Sequence, residues 1–207
     1  MSGSVAERSN AAGCRPVAPR GSGGSTPSRP IFTVDWEPWF CGTPYGPLWE
    51  TSDPMVKEPT RYLLDLLRRH QITAVWYIVG WLEGRESPLY CDIVKDQHVI
   101  GDHTYYHTYE DWTPEQLANP LFRPPRWHGL PHRPTSGGFF LRAMPYGWLK
   151  REVLKEGMFF VHPHDLLWPE QEPTGKWHRR IGLENARDKL ERLCREVEFS
   201  DAKDIVS

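Results

Sequence analysis

Two histidines separated by three residues, His103 and His107, are the side chains in this chain best suited to chemistry. Neutral imidazole is the commonest metal ligand in proteins, and this spacing brings both rings to one face of a helical turn, or of a tight loop opening one. Two carboxylates, Asp35 and Glu37, follow the apolar run Ile31–Val34. Two histidines plus a carboxylate, with a coordination position left open, are typical of catalytic metal centres. The ordinary alternative is a pair of solvated surface histidines.

The elements that position these groups are predicted to alternate between strands and helices. Apolar, β-branched or aromatic runs predict buried strands at 31–35, 73–79, 98–102 and 158–161. Apolar residues at helical spacing predict helices around 59–69, 89–95 and 183–197, and a further helix over 141–154 that is broken near Pro145. This alternation predicts an α/β fold with a parallel sheet or barrel, whose functional sites form where strands end.

Four segments then occur in an order that resembles the motif series of the polysaccharide deacetylase (NodB-homology, carbohydrate esterase) family. They are Asp35–Glu37, Gly101–His107, Gly137–Tyr146 and Phe160–Leu166. The first and last match the branch of the family that reads D-x-E and H-P-x-E/D. The resemblance runs from about Ile31 to Ile205 and implies a (β/α) barrel. It also implies removal of N-acetyl groups from an N-acetylated glycan, which is hydrolysis of a carbon–nitrogen bond outside peptides.

The resemblance also implies the roles of individual residues. Glu37, His103 and His107 would hold a divalent metal ion, for which Zn²⁺ is the expected identity, although the D-x-E spacing lets Asp35 and Glu37 exchange the roles of base and ligand. Asp35 would be the general base that activates water, and His162 the general acid that protonates the leaving nitrogen. Arg123 would orient the catalytic carboxylate, and Asp165 would orient His162. Trp36 and Tyr146 would contact the sugar, with core packing as the alternative for both aromatic residues.

The chain departs from the family pattern in the middle. The stretch between His107 and Gly137 is shorter than the family pattern requires, and residues 112–138 are rich in Pro, Gly and Arg. Arg123 therefore comes early for the family's arginine motif, and strands are expected to be missing. We expect an incomplete or distorted barrel over residues 30–207. Residues 1–29 are expected to be a disordered tail, and they resemble the translation of a transfer-RNA gene, so the true start would lie later.

Composition excludes several classes of protein. A formal net charge of −2 indicates neither a nucleic-acid surface nor an anionic membrane face, and no apolar stretch suits a transmembrane helix or a secretory signal. A cytoplasmic location is therefore expected, and the oligomeric state stays open. Two functions remain: a metal-dependent polysaccharide N-deacetylase, and a catalytically impaired metal- or carbohydrate-binding remnant of one. A branch acting on small amides of the ureide type is a third alternative.

Overall fold

The computed structural model describes residues 29–41, 46–107, 113–124 and 135–205. Its centre is a parallel sheet of four strands, β1 (Ile31–Trp36), β2 (Val75–Ile78), β3 (Val99–Asp102) and β4 (Met158–Val161), in the order β3-β2-β1-β4. All three strand pairings are parallel. Within the described residues the sheet does not close, so the predicted α/β class and the incomplete barrel are confirmed.

Helices connect and cover these strands. In chain order they are α1 (Pro47–Thr51), α2 (Lys57–Arg69), α3 (Gly80–Arg85), α4 (Ser87–Lys95), α5 (Pro114–Ala118), α6 (Phe139–Ala143), α7 (Tyr146–Glu156), α8 (Trp177–Arg180) and α9 (Leu183–Glu196). The predicted break near Pro145 separates α6 from α7. No helix of the described residues is long and apolar enough to cross a membrane.

The two faces of β1 have different surroundings because side chains alternate along a strand. Phe32, Val34 and Trp36 are fully buried in the main hydrophobic core, which includes apolar side chains of α2 and α9. Thr33 and Asp35 point to the opposite face. The D-x-E spacing of two residues continues that alternation, so Glu37 follows Asp35 on the face that carries the site.

Trp36 therefore does not contact sugar, and the prediction that it would is wrong. Its side chain has no exposed surface, and its indole Nε1 donates a hydrogen bond of 2.9 Å to Thr60 Oγ1 on α2. For Tyr146 the contacts that the structure describes are those of the packing alternative. Its hydroxyl lies 3.0 Å from a carboxylate oxygen of Glu196 at the end of α9, and its ring packs under the Arg192 guanidinium. Both aromatic side chains stabilise helix packing.

The open edge at β3 is extended by a short segment around Phe122. The Asp102 N–H donates to the Leu121 carbonyl at 2.7 Å, and the Arg123 N–H donates to the Asp102 carbonyl at 2.9 Å. These bonds form an isolated parallel bridge between Asp102 and Phe122. The segment thus takes the position that a fifth strand would occupy, and it brings Arg123 to the sheet although the chain between the motifs is short.

Glycines allow two close approaches that shape this face. A Cβ on Gly101 would lie 2.6 Å from the Tyr77 ring, and one on Gly137 would collide with the Phe160 carbonyl oxygen. Gly138, whose φ is +52°, then donates its N–H to the same carbonyl at 3.1 Å. The Gly137-Gly138 pair is therefore required by the packing of the start of α6 directly on β4.

The predicted boundary of the tail falls almost entirely outside the described residues, since the description starts at residue 29. Much of the shortened stretch, at 108–112 and 125–134, lies outside them as well.

Candidate metal centre

Three side chains at the carboxyl ends of β1 and β3 present donor atoms to a common point. Glu37 Oε2 lies 2.8 Å from His107 Nε2 and 3.4 Å from His103 Nε2. One donor atom from each of the three residues lies within 4.8 Å of the others, and all three are buried. The structure thus brings together the three residues that were predicted as metal ligands.

The histidine pair is held by a loop and not by a helix. Thr104 and His107 have positive φ values of 64° and 55°, which no α-helix contains. Backbone bonds fix the loop against the start of α3, where Gly80 and Trp81 donate to the carbonyls of Thr104 and Tyr105 at 3.0 Å. Of the two arrangements predicted for the HxxxH pair, the helical turn is wrong and the tight loop is correct.

The proton on His103 is placed by the backbone. His103 Nδ1 lies 2.6 Å from the Arg123 carbonyl oxygen, which can only accept a hydrogen bond. Nδ1 therefore carries the hydrogen, and the lone pair is left on Nε2, which faces Glu37. A metal-ligating histidine is commonly oriented in this way by a carbonyl behind it. The donor chemistry of this set, one carboxylate and two imidazole nitrogens, fits a zinc-like divalent ion.

Glu37 is poised as an anion. Burial would raise the pKa of Glu37, but the imidazoles of His107, His162 and His103 outweigh it and hold the pKa well below the ordinary value. Cys41, to which the sequence assigned no role, is a neighbour whose pKa is affected by the Glu37 carboxylate. Burial, and then the Glu37 carboxylate, raise the pKa of the Cys41 thiol well above its usual value.

Asp35 is separated from this cluster and held by Arg123. The guanidinium NH1 donates to Asp35 Oδ1 and, at 3.1 Å, to Thr33 Oγ1. The same guanidinium lies 4.0 Å above the Tyr77 ring centroid, on the same face of the sheet. Arg123 therefore occupies the position expected of the orienting arginine. The contribution of Thr33 was not predicted, although its place two residues before Asp35 puts it on the same face.

His162, at the end of β4, completes the site beside the metal cluster and the Asp35–Arg123 pair. Its Nε2 lies 3.7 Å from Asp35 Oδ2 and 3.8 Å from Glu37 Oε1. Its Nδ1 lies 2.7 Å from Asp165 Oδ2, and Asp165 Oδ1 accepts a 2.9 Å bond from Arg142 Nε. Asp165 thus contacts His162 as predicted. Arg142 was not assigned a role from sequence, although it lies within the third of the four motifs.

The charges around His162 favour its protonated form. Burial would lower the pKa of His162, but the carboxylates of Asp165, Glu37 and Asp35 raise it to about 9. The neighbouring His164 ring stacks on it at 4.7 Å, and burial lowers the pKa of His164 to about 4. The pKa values of two neighbouring histidines are therefore shifted in opposite directions, and of the two only His162, which is bonded to Asp165, is cationic at neutral pH.

Comparison with known proteins locates similar sequences. The family model described as polysaccharide deacetylase matches residues 43–125, which include His103, His107 and Arg123. A peptidoglycan-N-acetylglucosamine deacetylase from Bacillus cereus is 31% identical in an alignment of 86 residues, and the match covers 32% of this chain and 39% of that protein. The matched region thus spans well under half of that relative.

Two solved structures are similar at a lower level. One is a mutant of BA3943, a CE4 family pseudoenzyme, with a TM-score of 0.47 and 11% identity over 94% of this chain and 72% of that chain. The other is the Bc1960 peptidoglycan N-acetylglucosamine deacetylase, with a TM-score of 0.38 and 16% identity over 86% of this chain and 87% of that chain.

Proposed function

We propose that the chain is a member of the polysaccharide deacetylase family, to which its residues 43–125 are similar, and that it is a metal-dependent hydrolase that removes N-acetyl groups from an N-acetylated polysaccharide. The observation that carries the proposal is the convergence of three predicted groups: a ligand set, a base and an acid. Asp35 and Glu37 both lie within 4 Å of His162 Nε2, at distances of 3.7 and 3.8 Å.

Glu37, His103 and His107 would hold the divalent ion, with zinc as the proposed identity. When bound, such an ion lowers the pKa of water and polarises the acetamide carbonyl. The geometry favours Glu37 over Asp35 as the carboxylate ligand, because Glu37 alone of the two contacts both imidazole Nε2 atoms. The proposal therefore assigns the ligand role to Glu37 and the role of base to Asp35.

Asp35 would act as the general base. Arg123 occupies Asp35 Oδ1, so Oδ2 is the oxygen that faces His162 and is left to take a proton from the attacking water. The same ion pair fixes the orientation of the carboxylate, which general-base catalysis requires in order to reach the proton within hydrogen-bond distance.

His162 would act as the general acid. Its Nδ1 proton is held by Asp165, which leaves the Nε2–H pointing toward the two carboxylates and the space where the leaving nitrogen would sit. Because the surrounding carboxylates raise the pKa of His162 to about 9, the ring is protonated at neutral pH and can give its Nε2 proton to the departing amine.

The test measures acetate release. The purified chain, supplied with Zn²⁺, is incubated with N-acetylated chitooligosaccharides and with peptidoglycan, beside His103→Ala and beside His70→Ala, whose ring lies outside the site against Glu191. We expect wild type and His70→Ala to release acetate and His103→Ala to release none.

Two results would replace the proposal. Metal binding without acetate release from any glycan would favour the non-catalytic remnant, for which the open sheet is the supporting observation. Hydrolysis of small ureides in preference to glycans would favour the small-amide branch.

A further inference from the structure

A second hydrophobic cluster, rich in aromatic side chains, lies beside the metal centre. Its buried side chains are Phe40, Trp49 and Val79, and the side chains packed against these are Trp39, Cys41, Trp81 and Tyr106. Phe40 follows Glu37 by three residues, and Tyr106 immediately precedes His107. The aromatic cluster therefore contains side chains from both of the segments that carry the proposed metal ligands.

Trp49, on α1, is the side chain through which these two segments meet. It has no exposed surface, and its ring centroid lies 5.1 Å from that of Phe40 and 5.7 Å from that of Tyr106. A third contact, of 5.3 Å, joins it to Trp81 at the start of α3. All three pairs are T-shaped, an arrangement in which aromatic rings attract each other beyond the effect of burial alone. Removing the indole would leave Phe40 and Tyr106 without the ring that both contact.

The histidine loop needs such support because its backbone is strained. Thr104 and His107 have positive φ values of 64° and 55°, and a β-branched residue such as Thr104 rarely adopts that region. Such conformations persist only where the surrounding structure enforces them. Two backbone bonds from the start of α3 fix the first half of the loop, at the carbonyls of Thr104 and Tyr105. The second half is fixed by the packing of Tyr106 on Trp49.

Helix α1 is itself attached to the elements around the site, which gives Trp49 a fixed position. Trp39 Nε1 donates a hydrogen bond of 3.0 Å to the carbonyl of Asp53, just after the helix. Arg85, at the end of α3, donates at 3.1 Å to the carbonyl of Ser52. A short helix that carries none of the proposed ligands is thus held against both of the segments that do.

We propose that Trp49 is a positioning residue for the metal centre. It holds the Glu37 segment and the strained histidine loop in the arrangement that binds the ion before the ion binds. The proposal rests on the proposed function, because it concerns the ligand set of that site. It gives Trp49 no contact with the ion, since Trp49 acts through Phe40 and Tyr106. Without the indole the loop relaxes, and metal binding must then restore the strained backbone, which weakens the apparent affinity.

Two substitutions of Trp49 and two controls isolate this role. Trp49→Leu removes the aromatic ring, whereas Trp49→Phe keeps a smaller ring that can still make part of the edge contacts. Leu190→Ala is the control for lost stability, because Leu190 is fully buried in the main core on α9, which carries no proposed ligand. Leu48→Ala, at a 39% exposed position beside Trp49, is the control for a change in α1 itself.

The experiment measures metal binding apart from turnover. The Zn²⁺ Kd is obtained by competition with a chromogenic chelator, under conditions in which circular dichroism shows each protein to be folded. Groups that orient metal ligands typically contribute 10- to 100-fold to metal affinity, so we expect Trp49→Leu to raise the Kd by about 10-fold or more. Trp49→Phe should recover part of this loss, and both control variants should bind as wild type does. The visible spectrum of the Co²⁺-loaded protein reports the geometry of the ligand set, and it should change in Trp49→Leu and not in Leu190→Ala.

A second measurement examines the loop without metal. The amides of Gly80 and Trp81 bond to the loop carbonyls, so in the metal-free protein they should exchange hydrogen faster in Trp49→Leu than in Leu190→Ala. If Trp49→Leu does not fold, Tyr106→Ala removes the same contact from a half-buried position on the loop, and it should weaken Zn²⁺ binding in the same way.

The outcomes separate the two proposals. Acetate release by wild type together with an unchanged Zn²⁺ Kd in Trp49→Leu would overturn the positioning role and leave the deacetylase proposal intact. Equal weakening in Trp49→Leu and Leu190→Ala would also overturn the positioning role, because the effect would then follow from stability alone. A Zn²⁺ Kd that depends on Trp49 in a chain that releases no acetate would support the positioning role and overturn the activity.

Discussion

The site contains two histidine clusters that use the same residue types differently. In the metal cluster, Glu37, His103 and His107 each place one donor atom within 4.8 Å of the others. In the acid cluster, His162, His164 and Asp165 also lie within 4.8 Å, but Arg142 already neutralises Asp165 and a hydrogen bond joins Asp165 to His162. Donor spacing alone would make both of them metal sites.

The two clusters differ in the group that is hydrogen-bonded to Nδ1 of the histidine. A backbone carbonyl behind His103 fixes its tautomer and leaves Nε2 free, whereas a carboxylate behind His162 holds a proton on the ring. A guanidinium next to Asp165 further disfavours a bound cation there. Neighbours beyond the immediate cluster therefore separate a candidate ligand set from a candidate proton donor, and mutations should affect the two clusters in different ways.

The largest expected effect comes from removing a ligand. His103→Ala and His107→Ala should each lose bound metal, since the remaining imidazole and carboxylate hold a labile ion far less tightly than three ligands do. We expect elemental analysis after dialysis to find metal in wild type and in His70→Ala and none in either variant, with activity falling to that of the metal-free protein. Full metal retention in either variant would refute its assignment as a ligand.

Removing the acid should have a smaller and different effect. His162→Ala should retain the metal and lose rate by roughly 10²–10⁴-fold, which is the usual contribution of a positioned general acid. The measurement pairs kcat with metal content for the same preparation. Loss of metal in His162→Ala would show that the two clusters act as one ligand set, and the distinction between them would then be wrong.

A still smaller effect should follow from changing what stands behind His162. Asp165 raises the pKa of His162, so Asp165→Asn should lower that pKa. Because His162 must be protonated to act, the alkaline limb of the pH profile of kcat should move to lower pH in the variant. The acidic limb should stay in place. An unchanged alkaline limb would show that another group sets it.

The sequence predicts the strands well and the long-range contacts poorly. The four strands were predictable because each is a short apolar run, and Asp35, Glu37 and His103 were predictable because strand ends position them. Trp36 was misassigned because β1 is covered on the helix side, where every second side chain enters the core. The contacts of Tyr146 with α9 could not be predicted, because nothing in its own segment shows that α9 packs beside it.

Arg123 shows a different limit of prediction from the sequence. Its position along the chain seemed too early for the orienting arginine, yet it contacts Asp35. The contact depends on backbone hydrogen bonds between Leu121–Arg123 and Asp102, and these bonds have no side-chain signature. A short chain can therefore keep such a contact when a single bridge replaces a strand. That replacement is visible only in three dimensions.

His98 provides the smallest effect and a control for the comparison, because it is a buried histidine whose ring has no hydrogen bond to a carboxylate among the described residues. Its Nδ1 accepts the Ala74 N–H at 3.2 Å, and burial lowers its pKa to about 4, the reverse of the shift at His162. A histidine whose folded pKa is depressed binds more protons when unfolded, so its contribution to stability is complete above pH 6.5 and is lost as pH falls toward about 4. Between pH 7 and 5.5 this loss is about 1 kcal/mol.

Denaturant unfolding of wild type and His98→Gln, whose amide oxygen can still accept the Ala74 N–H, should show a pH dependence that is weaker in the variant by about that amount. Parallel curves of unfolding free energy against pH for the two proteins would mean that the pKa of His98 is not lowered in the fold. Burial without a hydrogen-bonded carboxylate would then not be enough to distinguish His98 from His162.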